Sequence, residues 1–249
     1  MTKIIPILAG VGHCYLVTHV SGFFLVDTGS PGHFQSIARR IHSLGLDLRN
    51  LQFIFLTHTH YDHAGNAFLL KEASGAPIIV HESESDMLKQ GTHPVPNGTN
   101  LVFKIISFLG QRFSKSHASF KAANPDIVFQ TAYSAKDLGA EALIVHTPGH
   151  TLGSSSLIFE GNLFAGDSLF NVAGMVWPPF ANDEARLLET WKYFDTLPIT
   201  TCYPAHGKRM GKEVFTKALK KRGQNGRVKL NRAKLRGHSH GRLPTDLEM

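Results

Sequence analysis

The sequence contains very little cysteine, with only Cys14 and Cys202 among its 249 residues. Neither cysteine has a spacing typical of a metal site, and a disulfide framework is not indicated. Long apolar runs are also missing, because no stretch of about 20 consecutive apolar residues occurs, so we expect no membrane span and no membrane partner. The amino-terminal residues lack the apolar segment of a secretory signal. These absences predict a cytoplasmic protein.

Acidic residues are scarce relative to basic ones, with 19 against 26 and a net charge of +7. The excess is uneven, because residues 208–249 hold 13 lysines and arginines against three acids, whereas residues 1–207 hold 13 against 16. We therefore expect residues 1–222 to form one domain and residues 223–249 a basic, flexible tail. Such a tail could attract nucleic acid, or it could be a solvated segment without a role.

Four metal-capable side chains occur within six residues, His58-Thr59-His60-Tyr61-Asp62-His63. The unbroken apolar run at 53–56 directly before them predicts a buried strand, and the helical spacing of residues 64–70 after them predicts a helix that stops at Gly75. The cluster thus follows the carboxyl end of a strand, where ligands usually bind in α/β proteins. Imidazole nitrogens and carboxylate oxygens suit zinc, iron or manganese.

Three further apolar runs end in glycine or proline turns that carry a histidine or an aspartate. These runs and side chains are residues 142–145 with His146 and His150, residues 163–165 with Asp167, and residues 199–203 with His206. Convergence of four such strand ends would gather all these side chains at one edge of the fold, although His146, on the presumed strand, is better interpreted as structural. The pattern predicts a site with more ligands than one metal ion needs.

The ordered motifs resemble those of the metallo-β-lactamase superfamily over roughly residues 4–210. They read HTHYDH at 58–63, GHT at 149–151, GD at 166–167 and AHG at 205–207, preceded by VDTG at 26–29. The resemblance implies an α+β fold, an αββα sandwich of two mixed β-sheets with outer helices. It also implies a dinuclear metal site at one edge of the sandwich.

The resemblance further implies a role for each matching residue. One metal ion would be held by His58, His60 and His150, and the second by Asp62, His63 and His206, with Asp167 bridging the two. Asp27 resembles a residue that orients the site through hydrogen bonds without being a ligand; a simple turn aspartate before Gly29 is the alternative. We expect two divalent ions, with zinc the first choice and manganese or iron as alternatives.

A dinuclear centre of this kind predicts a metal-dependent hydrolase. Two divalent ions lower the pKa of a bound water to about 7, so that hydroxide is present at neutral pH to attack an electrophilic carbonyl. Asp62 is the predicted catalytic residue, which would orient the nucleophile and shuttle its proton. The expected substrate is a small ester, thioester or lactone.

The kind of bond that is cleaved can be narrowed by comparing this sequence with the patterns of particular branches of the family. True β-lactamases usually carry Cys or Ser where this chain has Asp167, whereas an aspartate resembles thioesterases, lactonases and phosphodiesterases. Hydroxyacylglutathione hydrolases match best in motif pattern, but their basic stretch after the bridging aspartate and their helical carboxyl-terminal domain have no counterpart. Acyl-homoserine lactonases place a catalytic tyrosine where this chain has Phe170. Glutathione as the substrate and a phenol-assisted lactonase mechanism are therefore both in doubt.

Two other functions stay open. A phosphodiesterase or nucleic-acid-processing hydrolase would use the basic tail, although the additional domain of such nucleases is lacking. A mononuclear iron oxidoreductase resembling persulfide dioxygenases would use His58, His150 and Asp167, a two-histidine, one-carboxylate set that suits Fe(II). The absence of an arginine just after Asp167 counts against this second alternative.

The remaining elements are assigned from periodicity and turn residues. Hairpins are predicted around Ser21-Gly22 and around residues 160–162, and helices at 34–44, at 82–90 and after an Asp183 cap. A loop and an apolar helix at about 91–120 would be inserted between sandwich elements. That helix could roof the metal site and shape an apolar substrate pocket, or it could pack on a second copy in a homodimer.

Overall fold

The computed structural model of the chain describes residues 1–113 and 119–224. The predicted basic tail therefore lies outside the described residues except for its first two positions, which close the last helix. Part of the predicted insertion, residues 114–118, also lies outside them.

The first β-sheet has six strands in the order of the sequence. They are β1 (Lys3–Leu8), β2 (His13–His19), β3 (Gly22–Val26), β4 (Leu51–Phe55), β5 (Ile78–His81) and β6 (Ile127–Phe129). The β1–β2 and β2–β3 pairs are antiparallel, and each later pair is parallel, so the sheet is mixed. The predicted hairpin about Ser21-Gly22 is confirmed as β2–β3.

The second sheet also has six strands, and neighbouring strands in the sheet are again neighbours in the sequence. They are β12 (Met210–Gly211), β11 (Thr201–Gly207), β10 (Asn162–Asn171), β9 (Ser155–Phe159), β8 (Leu143–His146) and β7 (Ala132–Ser134). Only β10 and β11 pair in parallel, so this sheet is mixed as well. The second predicted hairpin is confirmed as β9–β10.

Seven α-helices accompany these strands in the described part of the chain. They are α1 (Phe34–Ser43), α2 (Tyr61–Ala64), α3 (Ala67–Ser74), α4 (Glu82–Gln90), α5 (Leu101–Phe113), α6 (Glu184–Thr196) and α7 (Lys212–Gln224). The Asp183 side chain accepts hydrogen bonds from the backbone N–H groups of Ala185 and Arg186, which confirms it as the cap of α6. None of the helices described here has both the length and the apolar character needed to cross a membrane.

Side-chain alternation along the strands separates three buried layers. Leu25 and Ile54 face Ile37 and Ile41 of α1 and Leu70 of α3, outside the first sheet. The adjacent Phe24 and Phe53 point the other way and join Phe159 and Phe164 between the sheets. Outside the second sheet, Leu163 and Cys202 pack with Trp191 of α6 and Phe215 of α7. The predicted α+β sandwich of two mixed sheets between outer helices is confirmed.

Two predicted strand ends are wrong, because β10 and β11 continue through their polar motifs. Gly166 and Asp167 lie inside β10, and His206 lies inside β11. The register of the β10–β11 pair shifts on both sides of Gly166, whose φ is +50°. A glycine in this left-handed conformation allows a bulge that bends the strand without ending it. A Cβ at this position would also lie 2.5 Å from Thr57 Oγ1.

The helix predicted from residue 64 is also divided, because Gly65 and Asn66 separate α2 from α3. The Gly65 N–H donates to the Gly29 carbonyl at 3.0 Å. The Asn66 side-chain amide donates to the carbonyls of Thr28 and Ser30 at 2.6 and 2.8 Å. These bonds fasten the loop after β4 to the turn after β3.

Gly65→Ala should destabilise the protein, because a Cβ would lie 2.4 Å from Pro31 N and 2.5 Å from Gly29 O, which are backbone atoms that cannot move aside. We expect a loss of about 1–3 kcal/mol in the free energy of unfolding, measured by chemical denaturation. Gly110→Ala in α5 is the matched control, since its Cβ would meet Val95 at an ordinary 3.4 Å. Unchanged stability in Gly65→Ala would contradict this account of the close approach.

Candidate metal centre

Every residue predicted as a metal ligand lies in one cluster beyond the carboxyl end of β4. Their ligand atoms fall into three sets in which all atoms lie within 4.8 Å of one another: His58, His60 and His150; His58, His63 and Asp167; and Asp62, His63 and His206. The structure therefore brings together the two triplets that the resemblance implies, with Asp167 beside both.

The first triplet is made of three buried histidines from two loops. His58 and His60 follow β4, and His150 follows β8. Nδ1 of His60 lies 3.1 Å from Nε2 of His150, and the ring of His58 meets those of His60 and His150 at 4.6 and 4.7 Å between centroids. Three imidazoles converge on one small volume away from bulk water.

The second triplet adds carboxylates to the cluster. Nε2 of His206 lies 3.3 Å from Oδ2 of Asp62 and also 3.3 Å from Oδ1 of Asp167. The same Oδ1 lies 3.4 Å from Nε2 of His63, whereas Oδ2 of Asp167 lies 3.6 Å from Nε2 of His150. The two oxygens of Asp167 thus face different triplets, which is the placement that a bridging ligand requires.

Four of the histidines are held by an outward hydrogen bond from Nδ1. The partners are Thr57 Oγ1 for His58 (3.1 Å), Asp27 Oδ2 for His63 (2.9 Å), the Phe180 carbonyl for His150 (3.0 Å) and the Val11 carbonyl for His206 (3.1 Å). An imidazole that donates from Nδ1 presents the lone pair of Nε2 inward. Metal-binding histidines are commonly oriented in this way.

Several buried polar atoms of the cluster make no hydrogen bond. They are Nε2 of His58, His60 and His63, and Oδ1 of Asp167, although the last two atoms lie 3.4 Å apart. A buried polar atom without a partner costs roughly 1–3 kcal/mol, so such a group of them is rare without a ligand. Nitrogen and carboxylate donors around one point fit divalent zinc, manganese or iron.

Asp27 holds residues of the cluster by hydrogen bonds from outside the set of candidate ligands. It is buried and adopts a φ of +61°, a conformation that aspartate tolerates better than most residues. Its Oδ1 accepts from the Thr57 backbone N–H at 2.8 Å, and its Oδ2 lies 2.9 Å from Nδ1 of His63. Asp27 therefore orients His63 from outside the inward-facing set, as the resemblance implies, and is more than a turn residue.

The electrostatics favour the ligand forms of His58, His60 and Asp167, but not that of His63. Burial, reinforced by neighbouring histidines, holds the pKa of His58 and His60 well below the usual value, so both imidazoles are neutral at pH 7. Burial opposes ionisation of Asp167, but His206 and His63 outweigh it and lower the pKa of that carboxyl. Burial likewise opposes protonation of His63, but Asp27 and Asp167 raise its pKa well above the usual value. Metal binding at His63 should consequently release a proton.

Two buried residues beside the cluster were not found from the sequence. Glu84 of α4 is 1% exposed, and its Oε2 lies 3.3 Å from Nε2 of His93. The His93 ring in turn lies against that of His60, with centroids 4.3 Å apart. Glu84 stands in a helix predicted to be polar and His93 matches no motif, so no sequence signal distinguished them from surface residues.

The structural interpretation of His146 is confirmed. Its ring stacks on that of His81 at 3.9 Å, and its Nε2 lies 2.8 Å from the Leu152 carbonyl. It belongs to none of the three sets of ligand atoms.

The insertion packs against the segment that flanks His150. Thr99 N–H donates to the Pro179 carbonyl at 2.9 Å, and the ring of Phe103 meets that of Phe180 at 5.3 Å. Phe180 also supplies the carbonyl that holds His150. The insertion thus contacts the support of a cluster histidine, whereas packing on a second copy stays a prediction.

Phe170 and Trp177 have different surroundings. The Phe170 ring stacks on that of His206 with centroids 4.8 Å apart, so it forms a wall beside the cluster. Trp177 lies against Trp191 at 4.8 Å and beneath the Arg222 guanidinium. Trp177 is therefore part of the packing around α6 and α7.

Comparison with known proteins gives a consistent result. The family model described as the metallo-β-lactamase superfamily matches residues 7–206. A probable metallo-hydrolase of Streptococcus pyogenes serotype M6 is 30% identical over 210 residues, covering 82% of each chain. A hydroxyacylglutathione hydrolase of Shewanella pealeana is 29% identical over 151 residues, which cover 61% of this chain and 43% of that protein.

A solved structure shows the same fold. The crystal structure of an archaeal metallo-β-lactamase superfamily protein from Sulfolobus tokodaii superimposes with a TM-score of 0.63 at 22% identity. The superposition covers 89% of this chain and 86% of that one.

Proposed function

The chain belongs to the metallo-β-lactamase superfamily and is a metal-dependent hydrolase, and from that premise we propose that it cleaves a small ester, thioester or lactone at a dinuclear centre. The observation that carries the proposal is the position of Asp167, whose two oxygens face two separate ligand triplets. One ion would be held by His58, His60 and His150, and the other by Asp62, His63 and His206. Zinc is the expected metal, with manganese or iron as alternatives.

Two bound divalent ions would supply hydroxide at neutral pH and polarise the carbonyl under attack. The protein's own side chains would hold the ions, orient the nucleophile and accept its proton. Asp62 retains some access to solvent, and its carboxylate lies 3.3 Å from Nε2 of His206. Burial opposes its ionisation, but His63 and His206 lower the pKa of Asp62. It is thus ionised at neutral pH, so that it can accept a hydrogen bond from the nucleophile, orient it and receive its proton as the attack proceeds.

The position of Phe170 beside the cluster affects which leaving group the site can accommodate. Its phenyl ring covers His206 and offers no proton to a departing atom. A thiol, with a pKa of about 8.5, departs as the anion more readily than an alcohol does. Among the three substrate classes, the apolar Phe170 ring favours thioesters, which also agrees with the activity for which the hydroxyacylglutathione hydrolase of Shewanella pealeana is named.

A substrate panel tests the proposal directly. Zinc-loaded protein should hydrolyse at least one small thioester, aryl ester or lactone, and the activity should disappear with a chelator and return with zinc. The same panel should include bis(4-nitrophenyl) phosphate, which tests phosphodiesterase activity. It should also include a small-molecule persulfide, with oxygen uptake as the readout for the oxygenase. Turnover of the phosphodiester alone, or oxygen uptake with persulfide, would replace the proposed function by one of its two alternatives.

A further inference from the structure

A single buried carboxylate connects the two loops that carry the all-histidine triplet. Glu84 Oε2 accepts from the Thr59 backbone N–H at 2.9 Å and from the Thr59 hydroxyl at 2.6 Å. Its Oε1 accepts from the Thr151 hydroxyl at 2.7 Å and from the Gly153 N–H at 3.2 Å. Thr59 stands between His58 and His60, and Thr151 directly follows His150.

Glu84 makes these contacts from a third element, α4, and carries a buried partner of its own. Nε2 of His93 lies 3.3 Å from its Oε2, while Nδ1 of His93 lies 3.0 Å from the Pro94 carbonyl. Burial disfavours charge on Glu84, but the bond from His93 outweighs it and lowers the pKa of the carboxyl to about 2. The carboxylate is thus an ionised acceptor shared by five donors, and charged acceptors form the stronger hydrogen bonds.

A different carboxylate supports the other triplet. Asp27 lies 2.9 Å from Nδ1 of His63, and it also accepts from the Thr57 hydroxyl, which lies 3.1 Å from Nδ1 of His58. The hydrogen bonds of Glu84 in the described part of the chain go to the His58–His60 loop, the His150 loop and His93, and not to Asp62, His63 or His206. Two buried carboxylates therefore stand behind the cluster, one on each side. Thr59, Thr151 and His93 contact Glu84 through their side chains, and no hydrogen bond joins them to Asp27 among the described residues.

We propose that Glu84 is a positioning residue for one of the two metal ions, the ion held by His58, His60 and His150. It fixes the distance between the His58–His60 loop and the His150 loop. Its loss should weaken binding of that ion and leave the ion at Asp62, His63 and His206 largely unchanged. The inference rests on the dinuclear centre of the proposed function.

The test is Glu84→Gln, which keeps the size of the side chain but puts an amide NH₂ in place of one acceptor oxygen. Competition of zinc-loaded protein with a chromophoric chelator should resolve two release steps. We expect the affinity of one step to fall about 10–100-fold, the range typical of lost supporting contacts around a metal site, with the other step unchanged. His93→Ala removes one contact of five and should weaken the same step by less.

Reference variants identify the steps. His150→Ala removes a ligand of the first triplet and His206→Ala a ligand of the second, so Glu84→Gln should weaken the step that His150→Ala removes. Asp27→Asn should weaken both steps, because Asp27 holds His63 directly and His58 through the Thr57 hydroxyl. Glu189→Gln, an exposed residue of α6 paired with Lys192 at 2.9 Å, is the matched control and should change neither step.

The outcomes separate the inference from the proposed function. Wild-type protein that binds fewer than two ions would overturn the dinuclear centre itself. Wild-type protein with two ions and a Glu84→Gln variant with both affinities intact would overturn only the role of Glu84. Equal weakening of both steps, with a lower melting temperature of the metal-saturated variant, would also contradict the inference. It would show that Glu84 stabilises the fold in general and does not position one ion.

Discussion

Asp62→Asn should lower kcat about 10²–10⁴-fold while KM changes little. Asparagine keeps the shape of the side chain and an oxygen near Nε2 of His206, which lies 3.3 Å from the aspartate. It cannot accept a proton from the nucleophile. Because the loss falls on proton transfer, it should appear in turnover and not in substrate binding.

The measurement is steady-state kinetics at saturating zinc, with metal content determined on the same samples. Asp62 is also a proposed ligand, so a variant that holds fewer ions would lose activity for a different reason. Asp86→Asn, on the exposed surface of α4 with 80% of its side chain accessible, is the matched control and should behave as wild type. Full activity in Asp62→Asn would remove Asp62 from the mechanism.

Asp167→Asn should abolish tight binding of two ions. Only the carboxylate can offer a charged oxygen to each triplet, and Asp167 lies 3.3 Å from His206 and 3.6 Å from His150 through its two oxygens. The neutral amide has only one acceptor oxygen, so it cannot bridge the two proposed metal ions or offset their mutual repulsion. We expect metal affinity to fall by more than the roughly 10–100-fold typical of supporting residues.

Elemental analysis of Asp167→Asn after dialysis against a weak chelator measures this directly. About one ion or fewer per chain is expected, together with loss of hydrolysis. Circular dichroism checks that the fold is intact, since Asp167 is buried within β10. Retention of two tightly bound ions would show that Asp167 is not the bridge.

Several strands and the motifs that carry the candidate ligands could be predicted from local patterns in the sequence, whereas the sandwich and the role of each ligand were implied by the family resemblance. Successive residues of β3 and β4 face two different buried layers, so both strands are nearly unbroken apolar runs, and such short runs predict buried strands. The cluster at 58–63 follows a strand whose end is marked by the change from apolar to polar residues. The side chains of that loop and of three other motifs did meet in one place.

The errors concern features decided by contacts between distant segments. The strand β10 continues past Gly166 because it pairs with β11 on both sides of the bulge, and β11 lies in a later segment of the chain. The helix after the cluster breaks at Asn66 because that side chain binds carbonyls of the turn after β3. Short-range periodicity contains no information about either partner.

Glu84 and His93 were missed for a related reason. A glutamate in a polar helix is typical of an exposed surface, and only the packing of α4 against the two ligand loops buries it. Buried acidic residues are rare unless they are paired, so their partners have to be known before their role can be recognised. In this chain the partners come from three separate segments.

The measurement that tests the central claim most directly is the metal content of protein purified without added metal or chelator. The dinuclear hydrolase predicts close to two zinc or manganese ions per chain. Close to one iron ion with little zinc would contradict it and would favour the oxygenase chemistry of the His58, His150 and Asp167 set.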